Sequence, residues 1–282
     1  MEKSDNAFIK DIANNPIQIK SGSNLTDTIN KLLTHQISRL IITDSEKPIG
    51  IVSEKDILTY LYKEKLHKSI SEVLVNEIMH DIFFITGTST ITKASQFMID
   101  NRCSSVAIGS LDDFVGIVTK TDLTKFYWKN YLGKNKVSNC MSVNYFSAFN
   151  NDALYEVIKT MLGFGISRMI ISDSKRKPLG VISTGNIFRT VLDMECIEST
   201  KKSLELGNYQ EFWSRYGEFC AQPAEKVMSR GIITVSANED LANACQIIIE
   251  KKINALGVED SDGQLAGIIG KRDVLLALAS MH

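Results

Sequence analysis

The chain has 282 residues, 44% hydrophobic and 23% charged, with a formal net charge of −1. That length suits two ordinary domains or one large one, and the hydrophobic share supports a sizeable core. The balanced charge argues against a dedicated binder of nucleic acid or anionic membranes, no apolar run approaches the roughly 18 to 20 residues of a membrane helix, and the mixed-charge start, "MEKSDNAF", is not a signal peptide.

After a polar tail, residues 1–8, the first element is a short extended piece, "PIQIK". A helical pattern follows, "SNLTDTINKLLTHQ", with capping residues at its start and apolar residues at three- and four-residue spacing. Then come a strand, "RLIITD", a turn, "DSEKP", a second strand that opens the phrase "GIVSEKD" from Gly50 to Asp56, and a second helix, "DILTYLY". The same order returns as "IFFITG", "STITKASQFMIDN", "SVAIGS", "SLDDF", "GIVTKTD" (Gly116 to Asp122) and "DLTKFYW". It returns a third time with "NYFSAF", "NDALYEVIKTMLGF", "RMIISD", "DSKRKP", "GVISTGN" (Gly180 to Asn186) and "NIFRTVL", and a fourth with "GIITVS", "NEDLANACQIIIEKK", "ALGVED", "DSDGQ", "GIIGKRD" (Gly267 to Asp273) and "DVLLALA".

The pattern predicts an α+β fold of four strand-helix-strand-strand-helix repeats. Their expected bounds are residues 9–62, 75–130, 137–192 and 223–282, with linkers at 63–74 and 131–136 and a helical insert at 193–222. Each repeat is too small for a thick core, so the repeats are expected to pair. Repeats one and three share "ISR" before the strand and "KP" before the phrase, which two and four lack. That alternation suggests a duplicated pair: one module of repeats one and two, another of three and four.

The phrase itself reads as a buried strand, with a glycine placed for the hairpin, running into a helix. Ser53, Thr119 and Ser183 fall at the strand-to-helix corner, where a hydroxyl can cap the helix. Three residues on, Asp56, Asp122 and Asp273 place a carboxylate in the first helical turn. The same corner can seat a phosphate on free N–H groups, while a carboxylate can accept from a ribose diol. Hydroxyl and carboxylate together suit a nucleoside phosphate.

From about Ile9 to Leu278 the chain resembles CBS domains, on the four phrases in phase and on the strands "ISRLIITD" and "ISRMIISD". The resemblance implies repeats paired into modules, with adenine nucleotides (AMP, ADP or ATP, with magnesium where a triphosphate binds) in clefts between paired repeats. It further implies regulation of another molecule rather than catalysis. Carried over residue by residue, Asp56 and Asp122 match the ribose-binding aspartate, and Ser53 and Thr119 the hydroxyl beside phosphate or ribose. Arg39 and Arg168 match a strand position that contacts phosphate in the gamma subunit of AMP-activated protein kinase, a four-repeat relative. Lys55 and Arg272 stand before the aspartate position, where that relative also uses a basic residue. An apolar slot for adenine is expected around Ile17, Ile82, Tyr145 and Ile232.

The second module departs from the pattern. Asn186 replaces an aspartate in repeat three, and Gly270 replaces the hydroxyl before Asp273 in repeat four. The first module is therefore expected to be the stronger adenosine site. In the insert, Phe212, Trp213, Tyr216 and Phe219 fall on one helical face, suited to packing or to a partner. The five cysteines (Cys103, Cys140, Cys196, Cys220 and Cys245) form no C-x-x-C and read as free thiols of a cytoplasmic protein, with no zinc site. No nucleotide-loop, zincin or serine-hydrolase motif occurs, so no enzyme is expected. A homodimer through the modules is expected, and a separate regulated protein as well, because the chain ends soon after the fourth repeat. Nucleic acid is the alternative, resting on the basic stretch "SKRKP" and on Lys129, Lys134 and Lys136.

Overall fold

The computed structural model describes residues 7–63, 71–196 and 217–281. Repeat one comprises β1 (Gln18–Lys20), α1 (Leu25–Thr34), β2 (Arg39–Asp44), β3 (Lys47–Ser53) and α2 (Glu54–Lys63). Repeat two comprises β4 (Phe84–Ile85), α3 (Ile91–Asp100), β5 (Ser105–Gly109), β6 (Phe114–Thr119) and α4 (Lys120–Asn130). A short helix, α5 (Val137–Cys140), precedes repeat three: β7 (Ser147–Phe149), α6 (Leu154–Gly163), β8 (Arg168–Ser172), β9 (Pro178–Ser183) and α7 (Thr184–Cys196). A two-residue strand, β10 (Ser229–Arg230), precedes repeat four: β11 (Thr234–Ser236), α8 (Leu241–Glu250), β12 (Ala255–Glu259), β13 (Leu265–Gly270) and α9 (Lys271–Ala279). In every repeat the first strand is parallel to the second and the second antiparallel to the third. The first helix is thus a parallel crossover and the hairpin turn sits where the turn residues fall.

The segment leading into each repeat does not lie on that repeat. Asn14 exchanges two backbone hydrogen bonds with Ile117 of repeat two, both 2.9 Å, and His80 does the same with Ile51 of repeat one, again both 2.9 Å. Ser142 exchanges two with Ile268 of repeat four, at 2.9 and 3.0 Å. Strand β10 joins β9 of repeat three, with Ser229 opposite Val181. Repeats one and two have therefore exchanged lead-ins, and so have three and four. The exchange also feeds the first helices: the N–H groups of Leu25, Ile91, Leu154 and Leu241 donate to the carbonyls of Val73, Ala7, Gln222 and Asn135. That is how α6 starts without the side-chain cap expected of it. Asp152 instead accepts from the Phe149 N–H at 2.7 Å, and Gln222 supplies the missing acceptor.

The exchange explains the phrase's glycine, which the sequence reading assigned to the hairpin. Gly50, Gly116, Gly180 and Gly267 lie inside strands, beneath the crossing lead-in. A Cβ on Gly116 would stand 2.8 Å from the Asn14 carbonyl oxygen, and one on Gly267 2.7 Å from that of Ser142. One on Gly180 would collide with the Ser229 carbonyl oxygen. Only a hydrogen fits.

Two compact units result. Residues 17–81 and 146–231 hold repeats one and three, here the odd unit; residues 1–16, 82–145 and 232–282 hold repeats two and four, the even unit. In the odd unit, Leu25, Ile29 and Leu32 of α1 share a core with Leu154, Val157 and Ile158 of α6 and with Phe188 of α7. In the even unit α9 packs on α3 and α4 on α8, over Met98, Tyr127, Cys245 and Leu275. Consecutive repeats are thus linked through their lead-ins, and alternate repeats through their helices. The two repeats that share "ISR" and "KP" are the two in the odd unit.

Phe219 of the insert is buried in the odd unit's core, which is the packing reading of that segment. Phe212, Trp213 and Tyr216 lie outside the described residues. Cys140 and Cys245 are free thiols, Cys103 is half-buried and Cys220 is buried. Burial pushes the Cys245 thiol above its ordinary range, the opposite of what a reactive thiolate needs.

Candidate functional site

The strand-to-helix corner has one geometry in all four repeats. In repeat one the Ser53 N–H and hydroxyl both donate to a single oxygen of Asp56, at 2.8 and 2.7 Å. In repeat two Thr119 does the same to Asp122, at 2.8 and 2.7 Å. In repeat three Asn186 accepts from the Ser183 N–H at 3.0 Å and from its hydroxyl at 2.5 Å. In repeat four Asp273 accepts from the Gly270 N–H at 2.7 Å. These are reach-back caps, in which the third helical residue satisfies the N–H at the corner. The two departures from the motif keep the cap, because an amide oxygen still accepts and a glycine still has its N–H.

The other polar atom of each side chain meets the crossing lead-in. Asn14 donates its amide to Asp122 at 2.9 Å, and His80 Nε2 lies 3.1 Å from Asp56. The Ser142 hydroxyl donates to Asp273 at 2.8 Å, and Asn186 donates to the Ser229 hydroxyl at 3.0 Å. The sequence reading expected each aspartate to offer both oxygens to a ribose diol. Both oxygens already have protein donors, so a diol must share or displace the lead-in side chain. The sequence does not mark these four lead-in residues, because they are of three different types (Asn, His and two Ser). The only signal is a polar residue shortly before each extended piece.

Arg39 and Arg168 begin their strands directly opposite Ser53 and Ser183 in the register, so both guanidinium-bearing residues stand beside a corner. The matching residues in repeats two and four are Ser105 and Ala255. Lys55 reaches from repeat one to the Gly165 carbonyl of repeat three, at 3.2 Å. Lys271 reaches from repeat four to the Thr121 hydroxyl of repeat two, at 2.9 Å. Arg272 is exposed at the start of α9, whereas Asp273 is buried. Within each unit, therefore, the two repeats meet at their corners: Lys271 joins corner to corner in the even unit, while in the odd unit Lys55 reaches the end of α6 and Glu54 lies against Gly185 of the opposing corner.

The expected adenine slot mixes two registers. The backbone carbonyls of Ile17, Phe83, Phe146 and Ile233 accept from the second strands and are the equivalent positions. Ile82, Tyr145 and Ile232 each precede one of them. Phe146 meets Phe164 at a tilt of 42° with ring centroids 4.9 Å apart, and Phe83 meets Phe97 edge-on at 6.2 Å. The basic stretch "SKRKP" is the hairpin turn between β8 and β9, organised by Asp173, which accepts from the Lys175 and Lys177 N–H groups. Among the described residues no group of three or more His, Cys, Asp or Glu could hold a metal, and no helix is long and apolar enough to cross a membrane.

Comparison with known proteins agrees with this repeat structure. The family model for the CBS domain matches residues 9–63, 75–129, 137–193 and 224–280. The chain is 22% identical over 241 residues to the uncharacterized protein MJ1404 of Methanocaldococcus jannaschii, covering 84% of this chain and 53% of that one. It thus spans about half the length of that relative. It is 21% identical over 269 residues to MJ1225 of the same organism, covering 89% of this chain and 92% of that one. The crystal structure of MJ1225, proposed to be an archaeal homologue of g-AMPK, superposes with a TM-score of 0.81 over 97% of this chain and 100% of that one, at 17% identity. A homoserine O-acetyltransferase of Methanococcus vannielii is 26% identical over 140 residues, covering 49% of this chain and 28% of that one.

Proposed function

This chain belongs to the CBS domain family, and from that premise we propose that it is a regulatory protein that senses an adenine nucleotide. The ligand is AMP, ADP or ATP, the last with magnesium, and occupancy is passed to a partner protein rather than spent on catalysis. The observation that carries the reading is the fourfold corner: a hydroxyl or N–H, a carboxylate or amide, and a helix N-terminus, repeated with one geometry. Helix N-termini favour phosphate, and arginines such as Arg39 and Arg168 offer paired charge-assisted bonds to it. The corner carboxylate takes the ribose. The match to the acetyltransferase involves only a minor share of that enzyme's length, which fits an accessory module better than a catalytic one.

The exchanged lead-ins supply a route for the signal. A diol that takes the Asp122 oxygen held by Asn14 competes with that side chain, and Asn14 is joined by three peptide bonds to Ile17, the residue before β1 of repeat one. Occupancy of one repeat then loads the lead-in of its module partner. Differential contacts of that kind are what let a ligand shift an equilibrium. The output goes to a second protein, with the chain acting as a homodimer.

Calorimetric titration with AMP, ADP and ATP tests the reading, beside mass spectrometry of small molecules released from the purified protein. At least one nucleotide should bind, and Asp122→Ala should weaken it tenfold or more, since a lost charge-assisted hydrogen bond is worth about 1.5–3 kcal/mol. If none of the three binds, or if Asp56→Ala and Asp122→Ala leave every affinity unchanged, the corners serve only as caps.

A further inference from the structure

The first residue after each corner occupies one structural position. The N–H groups of Glu54, Lys120, Thr184 and Lys271 donate to the carbonyls of Ser38, Ser104, Ser167 and Asn254, at 3.1, 3.1, 3.0 and 3.2 Å. At two of the four the side chain reaches the opposing corner of the same unit, whereas the Thr184 hydroxyl donates back to the Ser167 carbonyl of its own repeat. Lys271 shows it in the even unit by donating to Thr121. Glu54 shows it in the odd unit, where its Oε2 lies 3.6 Å from the place a Cβ on Gly185 would take. Three of the four residues are cationic or neutral; Glu54 alone is acidic.

Glu54 is set among cations. Arg39 starts β2 opposite the corner, Arg189 stands on α7 one turn beyond Gly185, and Lys55 bridges to Gly165. Burial pushes the Glu54 carboxyl up from its ordinary range, and the Arg189 and Arg39 guanidiniums pull it back toward the charged form. A carboxylate so placed meets the same guanidiniums that an incoming phosphate would meet.

We propose that Glu54 is a specificity-determining residue: a resident anion at the junction of repeats one and three, which selects against ligands carrying several phosphates. The proposal rests on the nucleotide-sensing reading and deepens it. Each added phosphate brings charge toward Glu54 and competes with it for Arg39 and Arg189, so repulsion grows from mono- to triphosphate. The even unit has Lys120 and Lys271 in the same position and lacks that penalty. One chain would thereby hold two junctions of different charge preference.

Inorganic tripolyphosphate is the deciding probe, because it needs no ribose or base. Calorimetry on the full chain at about 0.1 M salt screens charges farther apart than about 10 Å and leaves the contacts at the junction. Glu54→Gln, which conserves shape, should tighten tripolyphosphate at one class of site by tenfold or more, and should raise ATP affinity over AMP affinity by a similar factor. Glu54→Asp keeps the charge and should gain less than threefold. The reverse exchange, Lys120→Glu, should weaken tripolyphosphate tenfold in the even unit and covers the case in which Glu54→Gln does not fold. If Glu54→Gln and the parent chain bind tripolyphosphate equally, or neither binds it, the proposal is overturned. If tripolyphosphate responds as expected while AMP, ADP and ATP do not bind, the anion seat stands and the nucleotide reading falls.

Discussion

The even unit carries Lys120 and Lys271 where its two corners meet, and the odd unit carries Glu54 and Thr184 at the same backbone position. Around that difference nearly everything else is held constant. Each corner has its reach-back cap, each cap has a lead-in partner, and each lead-in crosses a glycine. Fold and charge are therefore set by different residues. The glycine, the hydroxyl or N–H, and the third helical residue build the corner; the first helical residue and the strand-start residue decide which ligand charge it tolerates. Arg39 and Arg168 of the odd unit are replaced at the equivalent positions of the even unit by Ser105 and Ala255, so the two units distribute their cations differently as well.

The largest expected effects test the part that is constant. Adding a methyl group where packing leaves no room typically costs about 1–3 kcal/mol. Gly180→Ala and Gly267→Ala drive a Cβ into a backbone carbonyl and should lie near the top of that range. Gly116→Ala, at 2.8 Å from the Asn14 oxygen, should follow. Gly50→Ala meets the Met79 sulfur at 2.7 Å and the His80 carbonyl oxygen at 3.0 Å; the thioether can move, so about 1 kcal/mol is expected. Urea unfolding of the four variants gives the ranking. A flat series would mean that the lead-ins yield to the added carbon and do not define the corner.

Next in size are substitutions at the cap. Asp273 is buried and serves both the Gly270 N–H and the Ser142 hydroxyl. Asp273→Ala leaves both donors unsatisfied and should cost about 2 kcal/mol, the upper end for a lost helix cap. The odd unit offers the reverse experiment. Asn186→Asp restores a carboxylate near the start of α7, where the helix dipole favours negative charge by about 0.3–1 kcal/mol. The Ser229 hydroxyl needs only to turn from acceptor to donor. A gain of about 0.5 kcal/mol in the unfolding free energy is expected, and a loss would show that the amide is needed for more than the cap.

The sequence made the repeats readable because hydrophobic periodicity and turn residues act locally. "NEDLANACQIIIEKK" places apolar residues on one helical face and caps itself with Asp240, which accepts from the Ala242 N–H at 2.7 Å. The corner was readable for the same reason, since a hydroxyl and a carboxylate three residues apart make a local motif. The exchange was not, because it depends on which repeat a lead-in touches. Asn14, His80, Ser142 and Ser229 share a position but only the last two share a side chain, and nothing local marks their partners. The role of the phrase's glycine followed the exchange out of sight. Glu54 looked like one more acidic residue in a first helical turn until repeat three's corner was placed against it.

The smallest expected effect compares the ends of the four first helices. Each closes with a residue in the left-handed region: Gln36 at φ 51°, Arg102 at 50°, Gly165 at 67° and Lys252 at 54°. The next N–H reaches back five residues in every case, from Ile37 to Leu32, Cys103 to Met98, Ile166 to Met161 and Ile253 to Ile248. That bond belongs to the Schellman ending, whose left-handed position favours glycine. Repeat three has the glycine, and its Gly165 carbonyl is also the acceptor for Lys55 at the odd unit's junction. A left-handed L-residue costs about 1–2 kcal/mol, offset in part by the greater freedom that glycine loses on folding. Gln36→Gly, Arg102→Gly and Lys252→Gly should each stabilise by about 0.5 kcal/mol, and Gly165→Ala should destabilise by about 1 kcal/mol. Because Gly165 carries the Lys55 contact, only its substitution should also alter tripolyphosphate binding in the odd unit. Equal stability changes at all four ends, with no change in anion binding at any of them, would separate the helix ending from the junction and leave the two units differing in charge alone.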